Sequence, residues 1–481
     1  MRRPRTTSVV LAVLLVTGSF VAGAGPASAD SSDGSIDAFI DEEMPASGVP
    51  GLAYAVVDDG EISAAGARGV ATMGEDRTVT PDTPFLTGSI SKSFTALAVM
   101  QLVEAGTVDL DATIAQYLDA FAGRPAGAIT IRQLLSHTSG FSTMQGNDVR
   151  ADGGAGSGAL AHRVDQIADI APAHEPGRGW EYSNVNYQIL GRLIEVVSGQ
   201  EYQAFVTARI LEPVGMENSF VSDGEVHDSM ATGHTSWFTT KRALGQRATD
   251  RTTAPQGGIV ASATDLARYL GMMMNGEDDV LSAEGKALMM RPASAESPSY
   301  GFGWVLEADG GVWHTGASPG FESLAWMLPA EGKGAVVLVN AGSGVGFAET
   351  TELRTGIAAR GLGVDYDGEG PRWSQKALLI GLVLLPIVYL LSMIWAWRHR
   401  AAIRAKSGVG GLFSLWFPLV TTLAAAWVIL VLVPGFFGAP LTTVRLFQPD
   451  VVLVLVATAV MGVLWAVFRL AVAYTARSRA A

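Results

Sequence analysis

Cysteine is absent from the 481 residues. Its absence excludes disulfides, thiolate chemistry and a lipoprotein anchor, so the fold has to be held by its core alone. Lysine is scarce, with six in the chain. Basic charge as a whole is thin between Asp30 and Pro371, where 20 basic residues face 45 acidic ones for a net charge of −25. A surface of that sign repels nucleic acid and anionic lipid headgroups, so neither is expected as a partner of this part. Metal chemistry finds no support either, because His137, His162, His174, His227 and His234 show no ligand spacing and no His-Glu-x-x-His occurs. They read as surface or turn residues, His234 in Ala231-Thr232-Gly233-His234 being also a candidate to line a cleft. No cofactor or metal is expected.

What is present is apolar: 48% of residues are hydrophobic, enough for a large core and more than one domain. Arg2, Arg3 and Arg5, the apolar run Val9 to Val16 and Ala27-Ser28-Ala29 make 1–29 an expected secretory signal peptide. Near the other end Ala377 to Trp397 is 21 residues without a charge, Leu412 to Val433 is 22, and Val451 to Phe468 is 18. Each is long enough to cross a hydrocarbon core of about 30 Å, so the lipid bilayer is expected as a partner through three helices. Arg398, Arg400, Arg404 and Lys406 between the first two runs, and Arg477 and Arg479 after the third, place those segments in the cytoplasm. The expected result is an exported domain outside and the C-terminus inside.

Ile36 to Met44 reads as a short helix. Gly51 to Val57 and Ile62 to Val70 read as strands joined at Asp58-Asp59-Gly60, a hairpin signal. A helix is expected from Ser89 to about Ala105. Ile129 to Ser136, Val164 to Ile170, Tyr187 to Val197 and Tyr202 to Ile210 follow at helical spacing, with a Gly/Ala/Ser loop at 153–158. Ser262-Ala263-Thr264-Asp265 starts a further helix. Strands return at Gly301 to Leu306, Gly311 to Thr315, Glu322 to Met327 and Ala335 to Asn340, before a last helix from about Val345 to Arg360. The fold class is therefore α/β, an antiparallel sheet with flanking helices plus an inserted helical lobe, followed by a three-helix transmembrane region.

Within Gly88-Ser89-Ile90-Ser91-Lys92, helical spacing brings the Ser89 hydroxyl and the Lys92 amine to one face, a nucleophile beside a base. Taken alone, such a Ser-x-x-Lys is as readily structural as catalytic. Pro176-Gly177-Arg178-Gly179-Trp180-Glu181-Tyr182-Ser183-Asn184 ends in Tyr-x-Asn in a loop before the Tyr187 helix. A tyrosine beside a lysine ammonium would have its pKa lowered. His314-Thr315-Gly316 lies at the end of a strand. Gly316-Ala317-Ser318-Pro319-Gly320 matches a Gly-x-Ser-x-Gly elbow, but a strand-like run follows it and the sole later histidine, His399, sits between membrane runs, so that reading is rejected.

The segments Gly-Ser-Ile-Ser-Lys, Tyr-Ser-Asn and His-Thr-Gly, in this order, resemble the three motifs of the serine β-lactamase and penicillin-binding superfamily. They are nearest its class C β-lactamase and DD-carboxypeptidase branch, of S12 type. Leu134-Leu135-Ser136-His137-Thr138-Ser139-Gly140 also resembles a signature of that family. The resemblance, over roughly Ser35 to Arg360, implies Ser89 as acylated nucleophile, Lys92 as proton-transfer partner and Tyr182 as general base and acid. It also implies Asn184, His314, Thr315 and Ala317 as substrate-binding positions, with the Ser89 and Ala317 backbone N–H groups as oxyanion hole. His314 stands where many relatives have lysine, and would help to set the Tyr182 proton. This departure argues against a typical class C β-lactamase.

The implied activity is a peptidase or carboxypeptidase on D-amino-acid-containing peptides, peptidoglycan-type or a peptide prodrug, with a small peptide or peptide-like molecule as substrate. A β-lactamase or esterase of the same fold and a non-hydrolytic penicillin-binding sensor are the alternatives. The three-helix tail is similar to that of membrane-anchored peptidases that activate peptide prodrugs. The expected division is a signal peptide at 1–29, a hydrolase domain at 30–364, a linker at 365–376, three transmembrane helices within 377–471 and a cytoplasmic tail at 472–481.

Overall fold

The computed structural model describes residues 35–148, 156–245, 248–436 and 438–475. The expected signal peptide, most of the tail and part of the 153–158 loop lie outside these residues. Six antiparallel strands form the main sheet, in the spatial order Glu61–Gly69, Gly51–Asp58, Lys333–Val339, Phe321–Leu328, Val312–Ser318, Val305–Leu306. Asp59 and Gly60 both take positive φ (51° and 80°), the backbone a two-residue Asp-Gly hairpin needs. The chain closes by pairing its early and late strands, Leu52 opposite Val339.

The strand sequences are continuously apolar because both faces of the sheet are covered. Ala53, Ala55, Val57, Ala325, Met327, Val336 and Leu338 face one core, shared with the helices Ser91–Glu104 and Ala263–Met274. Their neighbours Leu52, Tyr54, Val56, Leu324, Trp326, Val337 and Val339 face a second, filled by Phe39 and Ile40 of Ile36–Ser47 and Leu353 and Ile357 of Thr351–Leu362. A period of two thus divides the apolar residues of the central strands between the two cores. The helical lobe lies between the two halves of the sheet in sequence and packs on the first core through Ile131–Leu135, Ala159–Ala168, Asn184–Ser198 and Tyr202–Val206. Ser262 caps Ala263–Met274 by accepting from the Asp265 N–H at 3.1 Å.

Four expectations need correction. The helix of Asn184–Ser198 starts three residues before Tyr187, so Asn184 is its first residue and no longer part of a loop. The strand Val312–Ser318 runs through His314-Thr315-Gly316 instead of ending there. The strand expected over Gly301 to Leu306 is reduced to Val305–Leu306. The last helix begins at Thr351, because the Ser343 N–H and hydroxyl are bound by the buried Glu322 carboxylate at 2.8 and 2.9 Å, which is itself paired with Arg354 at 2.9 Å. Those bonds hold the chain after Asn340 in a turn against the sheet.

Among the described residues, three helices are long and apolar enough to cross a membrane: Trp373–Arg398, Gly408–Phe436 and Pro449–Tyr474. The turn between the second and third, with its short helix Leu441–Phe447, rests on the sheet-and-helix part. Asp450 accepts from the Ser236 hydroxyl at 3.0 Å and the Phe238 N–H at 2.6 Å, and the Gln448 amide donates to the Ser343 carbonyl at 2.7 Å.

Candidate functional site

Ser89 sits in a single 3-10 turn, Gly88–Ile90, that runs directly into the helix Ser91–Glu104. This turn is fixed from three sides. The Thr87 N–H and hydroxyl both donate to the Ile259 carbonyl, at 2.9 and 2.8 Å, and the Ile259 N–H donates to the Ser91 hydroxyl at 2.8 Å. The Ser323 hydroxyl donates to the Thr87 carbonyl at 2.7 Å. Gly88 has φ +56°, and a Cβ there would lie 2.5 Å from the Ala317 nitrogen. Only glycine allows the strand to approach so closely, which brings the Ala317 backbone alongside the turn that carries Ser89. Ser89 itself stays partly open.

Lys92 is fully buried, its Nζ 3.1 Å from Ser89 Oγ and 2.7 Å from the Gln256 carbonyl. Burial drives its pKa well below that of a free lysine, and no acidic neighbour among the described residues offsets the cost. The Gln256 oxygen can only accept, so it takes an amine N–H, and a neutral amine keeps its lone pair for the Ser89 hydroxyl. The Nζ also lies 4.9 Å from the centre of the Tyr182 ring. The Tyr182 hydroxyl is hydrogen-bonded to Ser89, which favours its ionised form, but burial is the larger effect and the phenol pKa rises. Tyr182 as a whole residue is only partly buried. The lowering that an adjacent ammonium would cause is not what this site gives, because burial of Tyr182 itself is the larger effect.

His314 is buried on the strand face opposite Thr315 and Ala317, as alternation requires. Its Nδ1–H donates to the Thr315 carbonyl at 2.6 Å, leaving Nε2 to accept from the Tyr300 hydroxyl at 3.2 Å. Burial is the main cause that pushes it down to about 3, so it is a neutral imidazole. Its hydrogen-bond partner is thus Tyr300, with the Tyr182 ring 6.2 Å away centre to centre, so its expected hold on the Tyr182 proton is not direct. The Thr315 side chain points away from the His314 side of the strand.

Sequence reading missed two buried histidines. His137 has φ +59°, lies 4.3 Å from the Tyr182 ring centre to centre, and accepts at Nδ1 from the Ser183 N–H at 3.1 Å and the Asn186 amide at 3.0 Å. Its Nε2 is buried without a hydrogen-bond partner, and burial puts its pKa well below that of a free histidine. Its string had been noticed, but nothing local shows that the residue turns inward. His234 is buried too, with Nε2 accepting from the Met73 N–H at 3.1 Å and Nδ1 bonded to the Asn340 carbonyl at 2.8 Å, so both nitrogens serve the backbone and neither serves a cleft. Tyr187 and Tyr300, the latter lifted well above a free phenol by burial, complete an aromatic wall around Tyr182. Asn184 donates its amide to Asn147 Oδ1 at 2.9 Å, and its own Oδ1 is enclosed without a partner.

Residues 36–359 match the family described as Beta-lactamase. The chain belongs to that family. It is 34% identical over 332 residues to Penicillin-binding protein 4 of Amycolatopsis lactamdurans, covering 62% of this chain and 83% of the relative. Among solved structures it resembles the octameric penicillin-binding protein homologue from Pyrococcus abyssi, with a TM-score of 0.60 at 26% identity over 72% of this chain and 81% of that one. It also resembles a D-stereospecific amidohydrolase from Streptomyces sp., with a TM-score of 0.51 at 26% identity over 63% of this chain and 94% of that one. The β-lactamase-like fold expected from the motifs is therefore the observed one, in a family whose members are generally serine hydrolases.

Proposed function

We propose that this protein is an exported, membrane-anchored serine hydrolase that works through an acyl-enzyme and cleaves peptides containing D-amino acids, of a peptidoglycan-type or prodrug substrate. The observation that carries the reading is the 3.1 Å contact between Ser89 Oγ and a buried Lys92 amine that no acidic group among the described residues offsets. A buried neutral amine is a base for a hydroxyl; a buried ammonium would not be.

In this scheme Lys92 takes the Ser89 proton as Oγ bonds to the substrate carbonyl carbon, and the backbone N–H groups of Ser89 and Ala317 bind the oxyanion. Tyr182, held as a phenol, gives its proton to the departing amine nitrogen, and the C–N bond breaks. The Lys92 ammonium then returns a proton to the Tyr182 phenolate, restoring both. Water attacks the ester, losing a proton to Lys92, which passes it to Ser89 as Oγ leaves. Asn184 binds the substrate amide, while Thr315 and Ala317 line the strand along which it lies. Removing one oxyanion donor of this kind costs about 100- to 1000-fold in rate.

The purified full-length protein should be labelled by a fluorophosphonate and should hydrolyse D-aminoacyl amides, with free-carboxylate, amidated, ester and β-lactam compounds run alongside. Labelling should vanish in Ser89→Ala and survive in Ser318→Ala. Label on Ser318, or turnover of L-peptides equal to that of D-peptides, would remove the reading.

A further inference from the structure

His137 holds the chain on both sides of Tyr182. Its backbone carbonyl accepts from the Glu181 N–H at 2.9 Å, and its ring Nδ1 accepts from the Ser183 N–H at 3.1 Å. Ser183 is fully buried, so its N–H needs an acceptor inside the protein. An N–H can only donate, which makes Nδ1 the acceptor and leaves the ring proton on Nε2. The Asn186 amide, whose oxygen accepts from the Ser139 hydroxyl at 2.6 Å, gives Nδ1 a second donor at 3.0 Å. Nε2 is buried and has no hydrogen-bond partner among the described residues, so the ring is held at Nδ1 and by packing alone. The Tyr182 ring lies 4.3 Å away centre to centre, tilted by 35°.

We propose that His137 is a positioning residue for Tyr182: by binding the N–H groups of the residues before and after it and packing against its ring, it fixes the phenol where the departing amine nitrogen can take its proton. The proposal rests on the reading of Tyr182 as the acid of the proposed reaction. A general acid has to lie within hydrogen-bond reach of the atom that it protonates, and a misplacement of about 1 Å can cost about 100-fold in rate. The Glu181 bond is made to the His137 backbone and survives a change of side chain, and the Tyr182 carbonyl is held separately by the Thr143 hydroxyl at 2.8 Å. What a substitution at 137 removes is the bond to Ser183 and the ring beside the phenol. The segment stays in place while the phenol loses its fixed direction.

The test uses the full-length protein and the ratio of kcat/KM for an N-acyl-D-aminoacyl amide to that for the matching p-nitrophenyl ester, whose leaving group needs no proton. Fluorophosphonate labelling of Ser89 shows in each variant that the site is folded. His137→Gly keeps the left-handed backbone, φ +59°, without strain, and His137→Gln fills more of the space. Neither puts an acceptor at the place of Nδ1, and each should lower the ratio about 10- to 100-fold. His137→Asn carries an oxygen at that place and tolerates a positive φ, so it should restore most of the ratio, which a role in packing alone would not do. Added to Tyr182→Phe, which has no proton to give, His137→Gly should lower the ratio no further. An unmoved ratio in a labelled Gly or Gln variant, a ratio in the Asn variant as low as in Gly, a further fall in the double variant, or loss of labelling in all three single variants would overturn the proposal. Tyr182→Phe alone separates the two readings. If it lowers the ratio while His137→Gly does not, the positioning alone fails. If it leaves the ratio unmoved, the acid role of Tyr182 falls and the positioning falls with it.

Discussion

Replacing Lys92 with methionine should abolish turnover and change how stability depends on pH. Lys92 is buried with a carbonyl and a hydroxyl as its partners and no carboxylate beside it among the described residues. Its folded pKa is therefore depressed, while in the unfolded chain it returns to about 10.4. Between those two values the unfolded chain holds a proton that the native protein does not, so stability rises with pH by about 1.4 kcal/mol per unit. Methionine fills a similar volume and carries no titration. The parent should thus gain on Lys92→Met as the pH rises, by about 1.4 kcal/mol for each unit lying between the folded and unfolded pKa values. Leaving the Gln256 carbonyl unpaired subtracts about 1 to 3 kcal/mol from the variant at every pH, and so shifts the difference without tilting it. Loss of the base should lower acylation by about 100- to 10,000-fold. Denaturant unfolding of both proteins in detergent at three pH values, with fluorophosphonate labelling rates alongside, measures both quantities. A stability difference that is flat in pH would mean that Lys92 is protonated in the native protein, and the neutral-base scheme would be wrong.

Tyr182→Phe should lose far more kcat/KM on an amide than on a p-nitrophenyl ester, whose leaving group needs no proton; equal losses would take the acid role from Tyr182. His314 is neutral down to about pH 3, so His314→Gln should leave the shape of the pH–rate profile between pH 5 and 8 unchanged, whereas loss of a limb near pH 6.5 would show that it titrates in the working range. A cysteine placed near Arg404 should be shielded from a membrane-impermeant thiol reagent in intact cells and one near Asp367 should react, with the opposite pattern putting the hydrolase domain in the cytoplasm.

The parts of this architecture that were legible in the sequence are those set by short-range geometry. Ser89 and Lys92 meet because three residues make nearly one turn, and Asp59-Gly60 folds back because its positive φ values need a small or flexible pair. What stayed hidden depends on partners far away in the chain. The charge state of Lys92 follows from its depth under Tyr182, Tyr187 and the Gln256 carbonyl, which sequence spacing does not reveal. His137 turns inward on a left-handed backbone that its neighbours do not announce. Asn147, Asn184 and Gly438 form one hydrogen-bonded line from segments separated by tens to hundreds of residues. The late start of the Thr351 helix has the same origin, a carboxylate on a different strand capturing Ser343.

The neutral state of the titratable groups described beside Ser89 bears on which peptides suit the proposed reaction. Lys92, His137 and His314 are all pushed toward their neutral forms by burial, and Tyr182 and Tyr300 are held as phenols. An enzyme that trims a free C-terminal residue has to draw a carboxylate out of water, a step that costs several kcal/mol unless a cation meets it. None of these five groups supplies one at neutral pH. An uncharged segment on either side of the scissile bond carries no such cost, and the aromatic wall of Tyr182, Tyr187 and Tyr300 offers it apolar contact. Under the proposed activity an internal or capped amide is therefore expected to turn over faster than a peptide with a free carboxyl terminus, and equal kcat/KM for the amidated and free-carboxylate substrates would refute this. A neutral imidazole at position 314 leaves the Lys92 equilibrium to burial: an anion there would raise the Lys92 pKa and favour the ammonium, whereas a cation would lower it further.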